Sequence, residues 1–331
     1  MKFLIVGAGG LGSILAAHLV RAGYPAMLLA RGNRADQLER DGVVLRGLLE
    51  FKQQVPVVRP GQLCDADVMM LCTKAYDTQA ALAGVKLRSL PLALSLQNGV
   101  MKNDALIARF GSGQVLGAAA LISGELLADG STQFTMNRDL QIGELAGGVS
   151  ERVQRLVQVL TDSGIAASVS EDIRGVEWTK YASFLAMMAA GLLTRQSTGR
   201  AMSDPETSVA MAMLVREVAA LAAASGVTVH AQGSIPVGAI AQATLDQGAA
   251  LLREAGQALM TRAPTHRVSA LQDLLRGSRL EVDAILGHAV RLGTKLGVPV
   301  PTISTCYRLC RVLDATGPNS AVPNQRTEAQ R

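Results

Sequence analysis

Aromatic residues are scarce in this chain of 331 residues, and no long run of basic residues accompanies them. Phe, Tyr and Trp make up 3% of the sequence, so few rings are present to stack on nucleic-acid bases. Lys and Arg occur singly or in isolated pairs, although the formal net charge is +5. We therefore predict no nucleic-acid partner, and we attribute the positive charge to binding of a small anion.

Cysteine and histidine are also rare, with four of each. Cys64, Cys72, Cys306 and Cys310 have no C-x-x-C spacing, and no histidine cluster accompanies them. We therefore predict neither a metal site nor a disulfide framework. Cys306 and Cys310 lie one helical turn apart, which is typical of a shared buried face.

Long hydrophobic runs are missing as well, although 49% of the residues are hydrophobic. The run from Phe184 to Leu193 is shorter than the about 20 residues that a membrane-spanning helix needs. Lys2 and the apolar residues after it imitate a secretory signal, but the glycines at positions 7, 9 and 12 do not fit one. We therefore expect a soluble cytoplasmic protein with no membrane partner.

A glycine-rich turn follows the first apolar run of the chain. The sequence Gly7-Ala8-Gly9-Gly10-Leu11-Gly12 stands between a predicted strand and a predicted helix. In such a motif Gly7 permits a tight turn, Gly9 lets the backbone approach a pyrophosphate, and Gly12 lets the helix pack on the strand. The N–H groups at the start of the helix then favour phosphate. This arrangement predicts a dinucleotide-binding domain of the Rossmann type.

The rest of the chain predicts two domains. Apolar runs predict parallel strands at 24–30, 67–72 and 92–96, and further strands around 115–123, 133–136, 140–143 and 166–169. Long helices are predicted at 175–193, 205–224, 237–262 and 279–296. The expected fold is α/β, with an N-terminal doubly wound sheet in residues 1–170 and a mainly helical domain in 171–316. Residues 317–331 are expected to be a disordered tail.

Arg31 indicates which dinucleotide is bound. It follows the second predicted strand, where Rossmann proteins that bind NADH usually carry Asp or Glu on the ribose 2′-hydroxyl. An arginine pairs with a 2′-phosphate instead, and we expect no carboxylate nearby to oppose it. The cofactor is therefore predicted to be NADPH, with Arg34 as a candidate second phosphate contact. The alternative is that Arg31 is a solvated loop cation.

The order of several motifs resembles that of the ketopantoate reductase family, over roughly residues 1–312. Besides the glycine turn and Arg31, the shared motifs are Thr73-Lys74-Ala75, Gln97-Asn98-Gly99, Glu177-Trp178-Thr179-Lys180, Ser269-Ala270-Leu271-Gln272-Asp273 and Glu281-Val282-Asp283 with Gly287. The resemblance implies an NADPH-dependent reductase that converts a 2-oxo acid into a 2-hydroxy acid, with ketopantoate as the family substrate. Homodimers are common among such enzymes.

The resemblance also implies a role for each motif. Lys180 would be the general acid that protonates the C2 oxygen, and Glu281 would help to orient it. Ser269 would bind the substrate carboxylate, while Asn98 and Lys74 would line the site from the cofactor domain. Cofactor binding would involve Gly7, Ala8, Gly9, Gly10, Leu11, Gly12, Arg31, Lys74 and Asn98.

The chain departs from the family at two positions on the predicted catalytic helix. The family usually has asparagines four and eight residues after the lysine, where this chain has Phe184 and Met188. An apolar wall cannot select a substrate hydroxyl, so we expect these residues to line the site for a 2-oxo acid with a more apolar side chain. Ser183 is a candidate replacement hydroxyl. A local change of helix register is the alternative explanation.

Two other functions stay open from the sequence. One is a related 3-hydroxyacid-type dehydrogenase, which shares the glycine motif and a helical lysine. The other is an NADP(H)-binding sensor without turnover, which the loss of polar residues at 184 and 188 would suit. The pair Ser269 and Glu281 favours the reductase over the dehydrogenase, and Lys180 with Glu281 argues against the sensor.

Overall fold

The computed structural model describes residues 1–231 and 235–316, so the predicted disordered tail lies outside the described residues. The chain divides into two compact units. Unit 1 is Met1–Glu177, and unit 2 begins at Trp178. The boundary between them falls within one helix, Ile173–Thr194, whereas the sequence-based boundary after residue 170 falls just before that helix.

Unit 1 is built on short strands that alternate with helices in its first half. Its strands are β1 (Phe3–Val6), β2 (Ala26–Leu29), β3 (Val43–Gly47), β4 (Phe51–Gln53), β5 (Val57–Val58), β6 (Leu63–Cys64), β7 (Val68–Leu71), β8 (Lys86–Leu87), β9 (Leu92–Ser95), β10 (Val115–Leu126), β11 (Thr132–Glu144) and β12 (Ser168–Val169). Its helices are α1 (Gly10–Arg21), α2 (Gly32–Asp41), α3 (Thr78–Gly84), α4 (Asp104–Phe110) and α5 (Glu151–Asp162).

Ten of the twelve described strands of unit 1 form one sheet in the order β4-β3-β11-β10-β9-β7-β1-β2-β5, with β12 paired to β11, while β6 and β8 pair with each other in a separate two-stranded sheet. Strands β9, β7, β1, β2 and β5 pair in parallel. The chain leaves β1 for β2 on one side and returns through β7 on the other, so the strand order reverses beside β1. Ligands of such sheets bind at the carboxyl ends of the strands at this reversal.

Both faces of the parallel strands are covered. Phe3 and Ile5 face one hydrophobic core with α1, while Leu4 and Val6 face a second core with α3 and α4. Because every residue of β1 is fully buried, the strand reads as a continuous apolar run instead of an alternating one. This burial confirms the predicted doubly wound sheet and holds the turn after Val6 in a fixed position.

The long hairpin of β10 and β11 differs from the prediction. Residues 133–136 and 140–143 were expected to form separate strands, but both belong to the single strand β11. The polar residues Asn137 and Asp139 do not end the strand, because register shifts in the pairing with β10 accommodate them. Asn137 bonds the backbone of Gly164 and Ala166, and Asp139 accepts from Ser168, so local partners satisfy their polarity.

Unit 2 is helical in its described residues, as predicted. Helix α6 (Ile173–Thr194) starts in unit 1 and continues into unit 2, which also contains α7 (Thr198–Ser203), α8 (Pro205–Ala224), α9 (Val237–Gln242), α10 (Leu245–Arg262), α11 (Ser269–Leu275), α12 (Val282–Leu296) and α13 (Pro301–Thr316). Helix α8 has the bounds predicted from the sequence, because the Asp204 side chain caps it and Pro205 follows at the first helical position.

Two helix predictions in unit 2 were wrong in detail. The expected helix 237–262 is two helices, because Thr244 and Gln247 form a capping box that starts a new helix at Leu245. The helix expected to start at 279 begins at Val282, with Glu281 at the capping position. In both places the apolar spacing continues through the break, so periodicity alone does not reveal it.

Helix α8 is the described helix that is long and apolar enough to cross a membrane. Its most apolar window has a mean hydropathy of 1.5, and 44% of that window is buried inside the structure. Core helices of water-soluble proteins pass the same test, so the helix is weak evidence for a membrane span.

Candidate active site

The glycine turn joins β1 to α1 at the carboxyl edge of the parallel sheet. Gly7 has φ +109°, a conformation that side-chain-bearing residues rarely adopt, and its N–H donates to the Leu29 carbonyl of β2. A Cβ at position 7 would stand 2.8 Å from Cγ2 of Thr73, which follows β7. The turn therefore packs directly against the chain that leaves the neighbouring strand.

The other glycines of the turn differ in what surrounds them. A Cβ on Gly12 would overlap the Gly7 carbonyl, and a Cβ on Gly10 would overlap the Gly124 carbonyl of β10. At Gly9, by contrast, a Cβ would meet nothing within 4 Å. Gly9 also caps α1 without a side-chain hydrogen bond, so no side chain of the capping residue occupies the first N–H groups of the helix. This open, uncapped helix start fits a pyrophosphate.

Arg31 stands at the carboxyl end of β2, as predicted, but it has a carboxylate partner. Its Nη2 lies 3.3 Å from Oδ1 of Asp77, and the two side chains are 72% and 38% exposed. The expectation that no carboxylate stands nearby was therefore wrong. Asp77 lies 46 positions away in sequence, in a short 3-10 helix after β7, and parallel pairing of β1 with β2 and β7 brings both strand ends to the same edge.

Arg34, the candidate second phosphate contact, is engaged by the protein itself. Its guanidinium donates to the Ala8 carbonyl at 3.0 Å, to Ser13 Oγ at 3.0 Å and to the Gly130 carbonyl at 2.8 Å. It also donates to Gln37 Oε1, and burial lowers its pKa. These contacts indicate that Arg34 stabilises the glycine turn.

Lys74 and Asn98 follow the carboxyl ends of β7 and β9, and both are partly buried. Gln97, whose role the sequence did not assign, connects their two loops. Its side-chain amide donates to Thr78 Oγ1 at 2.8 Å, to Thr73 Oγ1 at 3.2 Å and to the Lys74 carbonyl at 3.3 Å. The polar residues directly after two buried strands were the sequence signal for this connection.

In unit 2, helix α6 carries Lys180, which is partly buried. The next residue, Tyr181, is 1% exposed and donates from its hydroxyl to the Ile285 carbonyl of α12 at 2.7 Å. Glu281 precedes α12 and is 7% exposed. The Tyr181 contact therefore packs the helix of Lys180 against the helix that Glu281 begins.

Ser269 is the first residue of α11 and is partly buried. Helix α6 packs closely against this helix, because a Cβ on Gly191 would stand 3.0 Å from Cγ1 of Val268 and 3.7 Å from Cβ of Leu271. Helices α11 and α12 thus both contact α6. The structure brings together the three elements that carry Lys180, Ser269 and Glu281.

The two apolar replacements on α6 are buried. Met188 has no exposed surface, and Phe184 is 9% exposed. Ser183, considered as a replacement hydroxyl, is 4% exposed and donates to the Thr179 carbonyl one turn earlier in its own helix at 3.0 Å. Its donor is therefore used inside the helix. Position 184 keeps the larger exposed fraction of the two positions that the family fills with asparagine.

His288 lies near the middle of α12, and its ring centroid is 6.3 Å from that of Tyr181. Burial, together with the positive charge of Arg291, lowers the pKa of His288 to about 4. Burial likewise raises the pKa of the Tyr181 phenol. Both groups are therefore neutral near pH 7, and they support the packing of α6 on α12.

Across residues 1–231 and 235–316, no group of three or more His, Cys, Asp or Glu side chains is placed to hold a metal ion. The four cysteines are free thiols. Cys310 is buried and Cys306 partly buried on α13, and burial raises the pKa of Cys310 to about 12.

Both units match family models. Residues 3–147 match the model described as ketopantoate reductase PanE/ApbA, and residues 172–314 match the model of its C-terminal domain. A curated relative, the 2-dehydropantoate 2-reductase of Archaeoglobus fulgidus, is 29% identical over 311 residues, covering 94% of this chain and 97% of the relative.

Solved structures agree with these matches. The crystal structure of a PanE/ApbA family ketopantoate reductase from Ralstonia eutropha has a TM-score of 0.79 at 27% identity, and the match covers 96% of this chain and 99% of that one. A D-mandelate dehydrogenase solved with NADH and anilino(oxo)acetate has a TM-score of 0.81 at 19% identity with the same coverage, which shows a shared fold. By the sequences of both its units and by its fold, this chain belongs to the ketopantoate reductase family of oxidoreductases.

Proposed function

We propose that this protein is an NADPH-dependent reductase that converts a 2-oxo acid into the corresponding 2-hydroxy acid. The observation that carries the proposal is that both family models match, and that they cover different parts of the chemistry. The first covers the glycine turn, and the second covers Lys180, Ser269 and Glu281. A cofactor-binding domain alone would have matched only the first.

The fit of the cofactor rests on the open turn at Gly9 and on Arg31. The uncapped start of α1 accepts the pyrophosphate, and Gly9 leaves room for its approach. The guanidinium of Arg31 is 72% exposed and therefore accessible, and it pairs with the 2′-phosphate of NADPH. Ala8, Gly10, Leu11, Lys74 and Asn98 complete the proposed binding set. When bound, NADPH supplies the hydride for C2 of the substrate.

Lys180 is the proposed general acid. Its ammonium donates a proton to the C2 oxygen of the oxo acid and stabilises the negative charge that develops there. Glu281 orients the ammonium and the substrate hydroxyl, and Ser269 binds the substrate carboxylate. The partial burial of Lys180 and the burial of Glu281 support these roles, because electrostatic interactions strengthen away from water.

The proposed substrate has a more apolar side chain than ketopantoate. Phe184 and Met188 stand where the family has asparagines, so the hydrogen bonds that select a hydroxyl-bearing substrate are missing there. Phe184 forms the apolar wall, and the fully buried Met188 supports it from within the helical unit. The alternative is that ketopantoate itself is the substrate.

The experiment is a screen of NADPH oxidation against ketopantoate and a panel of branched and aromatic 2-oxo acids. We expect turnover of an apolar 2-oxo acid, and we expect Lys180→Ala to lower kcat by about 10²–10⁴-fold, the usual contribution of a general acid. Lys295→Ala, which removes an exposed lysine of α12, is the matched control and is expected to leave kcat unchanged.

Other outcomes identify the alternatives. Tight NADPH binding with no turnover of any acid would favour a non-catalytic NADP(H)-binding sensor. Turnover of 3-oxo or 3-hydroxy acids alone would favour the 3-hydroxyacid-type dehydrogenase. Preference for ketopantoate would overturn the role given to Phe184 and Met188, while leaving the reductase in place.

Two further predictions concern the protein in solution. A homodimer is expected, and light scattering during gel filtration measures the mass directly. A cytoplasmic location is expected, and cell fractionation tests it.

A further inference from the structure

A buried ion pair in unit 1 has no part in the roles described so far. Nζ of Lys102 lies 3.1 Å from Oε1 of Glu177, and the two side chains are 3% and 5% exposed. Glu177 is in α6, three residues before Lys180, and Lys102 is in the short 3-10 helix Met101–Asn103 that follows the Asn98 loop. The pair therefore joins the first turns of the helix of Lys180 to the loop of Asn98.

Three donors around the Glu177 carboxylate, from Lys102, Asn103 and Ala118, belong to unit 1. Besides Lys102, the Asn103 amide bridges both carboxylate oxygens, at 3.2 Å from Oε1 and 3.1 Å from Oε2. The backbone N–H of Ala118 in β10 donates to Oε1 at 2.9 Å. The Lys102 ammonium in turn donates to the Ala118 carbonyl. One carboxylate thus fixes α6 to both a loop and a strand.

The sheet explains why Ala118 is available for these bonds. The pairing of β10 with β9 ends at Leu116 and Leu94, so beyond that point β9 offers no partner to this edge of β10. Glu177 accepts a hydrogen bond from the Ala118 N–H, and Lys102 donates one to the Ala118 carbonyl. These two side chains therefore take the place of a neighbouring strand. Buried backbone groups need such partners.

Stability alone does not account for this arrangement. Desolvating two charges offsets most of their attraction, and apolar residues of similar volume often serve a fold equally well. The Asn103 side chain also keeps its Oδ1 buried without a hydrogen-bond partner, which is unfavourable. The cluster does fix the orientation of Glu177, because the Lys102 ammonium, the Asn103 amide and the Ala118 N–H all bind its carboxylate.

The loop of Asn98 is fixed at its other end as well. Gln97 donates to Thr73, which follows β7, and to Thr78, the first residue of α3, while Lys102 and Asn103 bind Glu177. Asn98, a proposed substrate and cofactor contact, lies between these two attachments. Movement of Glu177 would therefore change both the Asn98 loop and the first turns of α6.

We propose that Glu177 is a positioning residue for the reduction: its contacts with Lys102, Asn103 and Ala118 hold the first turns of α6 and the Asn98 loop in one arrangement, and so hold Lys180 where it delivers its proton. This inference rests on the proposed function. Glu177 itself neither donates a proton nor touches the substrate. It acts through the helix that carries Lys180.

The test compares Glu177→Gln with Glu144→Gln in the full-length enzyme with NADPH and the best 2-oxo acid from the screen. Glu144 is a second ion-paired carboxylate of unit 1, 2.6 Å from Arg152, and it accepts hydrogen bonds from Ser150 and Arg152. We expect Glu177→Gln to lower kcat by about 10–100-fold, because a small misplacement of a catalytic group slows the chemistry strongly. We expect the Kd of NADPH to rise by no more than about threefold, because Gln97 still fixes the Asn98 loop at its other end, and Glu144→Gln to behave as the parent.

The solvent deuterium isotope effect on kcat separates positioning from partial unfolding. Poor positioning of Lys180 makes proton transfer more rate-limiting, so the isotope effect rises in Glu177→Gln. Partial unfolding only lowers the amount of active enzyme and leaves the isotope effect unchanged. Asn103→Ala keeps the ion pair and removes one donor, so it provides a milder variant, with a decrease in kcat of about threefold, if Glu177→Gln does not fold.

Parent-like kcat in Glu177→Gln, or in Asn103→Ala when the first variant does not fold, would overturn the proposal. So would a decrease in kcat without any change in the isotope effect. Lys180→Ala distinguishes failure of the positioning role from failure of the proposed function. If Lys180→Ala is inactive while Glu177→Gln is normal, only the positioning role fails; if Lys180→Ala is fully active, the proposed function fails first.

Discussion

The glycine turn of unit 1 and the middle of helix α6 differ in how closely each follows the pattern of its family. In the turn, Gly7 has a positive φ, Gly12 packs on the Gly7 carbonyl, and Gly9 stands open. On α6, Phe184 and Met188 fill the positions where the family has asparagines, and both are buried. The first region keeps the features of a dinucleotide site, whereas the second has lost polar groups.

This difference separates the cofactor from the substrate. Backbone geometry fixes the turn, so few substitutions of its glycines are possible without loss of the fold. The buried face of α6 is held by packing, and an apolar residue there needs no hydrogen-bond partner. We infer that the hydride chemistry is common to the family and that the choice of oxo acid is particular to this chain.

Arg31→Asp is expected to produce the largest change on the cofactor side. It replaces the proposed partner of the 2′-phosphate by a repelling carboxylate, so we expect the KM for NADPH to rise by about 10–100-fold. The KM for NADH should change little. Initial rates with both cofactors measure this, and equal changes would contradict the NADPH assignment. Asp77→Asn sharpens the test, since removal of this exposed partner is expected to tighten NADPH binding by up to about fivefold.

Gly9→Ala and Gly12→Ala test two different roles of glycine in one turn, which are cofactor approach at Gly9 and close packing at Gly12. We expect Gly12→Ala to lower the free energy of unfolding by about 1–3 kcal/mol, because its Cβ would overlap the Gly7 carbonyl. Gly9→Ala should change it by less than about 1 kcal/mol, yet weaken NADPH binding about tenfold, because the open space is the proposed pyrophosphate site. Urea unfolding and cofactor titration measure both effects. Equal effects of the two variants on stability would contradict this interpretation.

Phe184→Asn tests the substrate side. The change restores the polar group that the family uses, so kcat/KM for ketopantoate should rise about fivefold relative to the best apolar 2-oxo acid. Phe184→Leu keeps the site apolar and is the matched control. If both variants give the same substrate ratio as the parent, position 184 does not contact the substrate.

His288 is expected to give the smallest effect, which concerns stability. Its pKa is about 4 in the folded state, below the ordinary value of 6.5 that applies to the unfolded chain. The unfolded state therefore takes up a proton first, and the free energy of unfolding falls as the pH decreases from 6.5 to about 4. In His288→Gln this decrease should be smaller. Urea unfolding at several pH values checks it, and identical pH curves would show that His288 does not contribute.

Much of the fold followed from the sequence because local signals agreed with it. Buried strands with apolar runs, the glycine turn and the Asp204-Pro205 start of α8 each have a local physical cause. Three features were predicted wrongly, because a local signal was missing or was interpreted too simply. They were the continuous strand β11, the capping box at Thr244 and the start of α12 at Val282.

The candidate site was harder to predict than the fold because its partners are distant in sequence. Asp77 beside Arg31 and Lys102 beside Glu177 are separated by 46 and 75 positions, and only the sheet brings each pair together. The sequence singled out Lys180, Ser269 and Glu281 through family motifs, and the packing of α11 and α12 on α6 brings together the helices that carry these motifs. Their roles in the reaction stay predictions.

The most direct test of the proposed reduction follows the hydride that NADPH transfers. The enzyme is incubated with NADPH carrying deuterium at C4 of the nicotinamide and with the best 2-oxo acid, and the product is examined by NMR and mass spectrometry. We expect one deuterium bound to C2 of a 2-hydroxy acid, with Lys180→Ala forming far less product. Deuterium at C3, or a failure of any 2-oxo acid to gain deuterium, would contradict it.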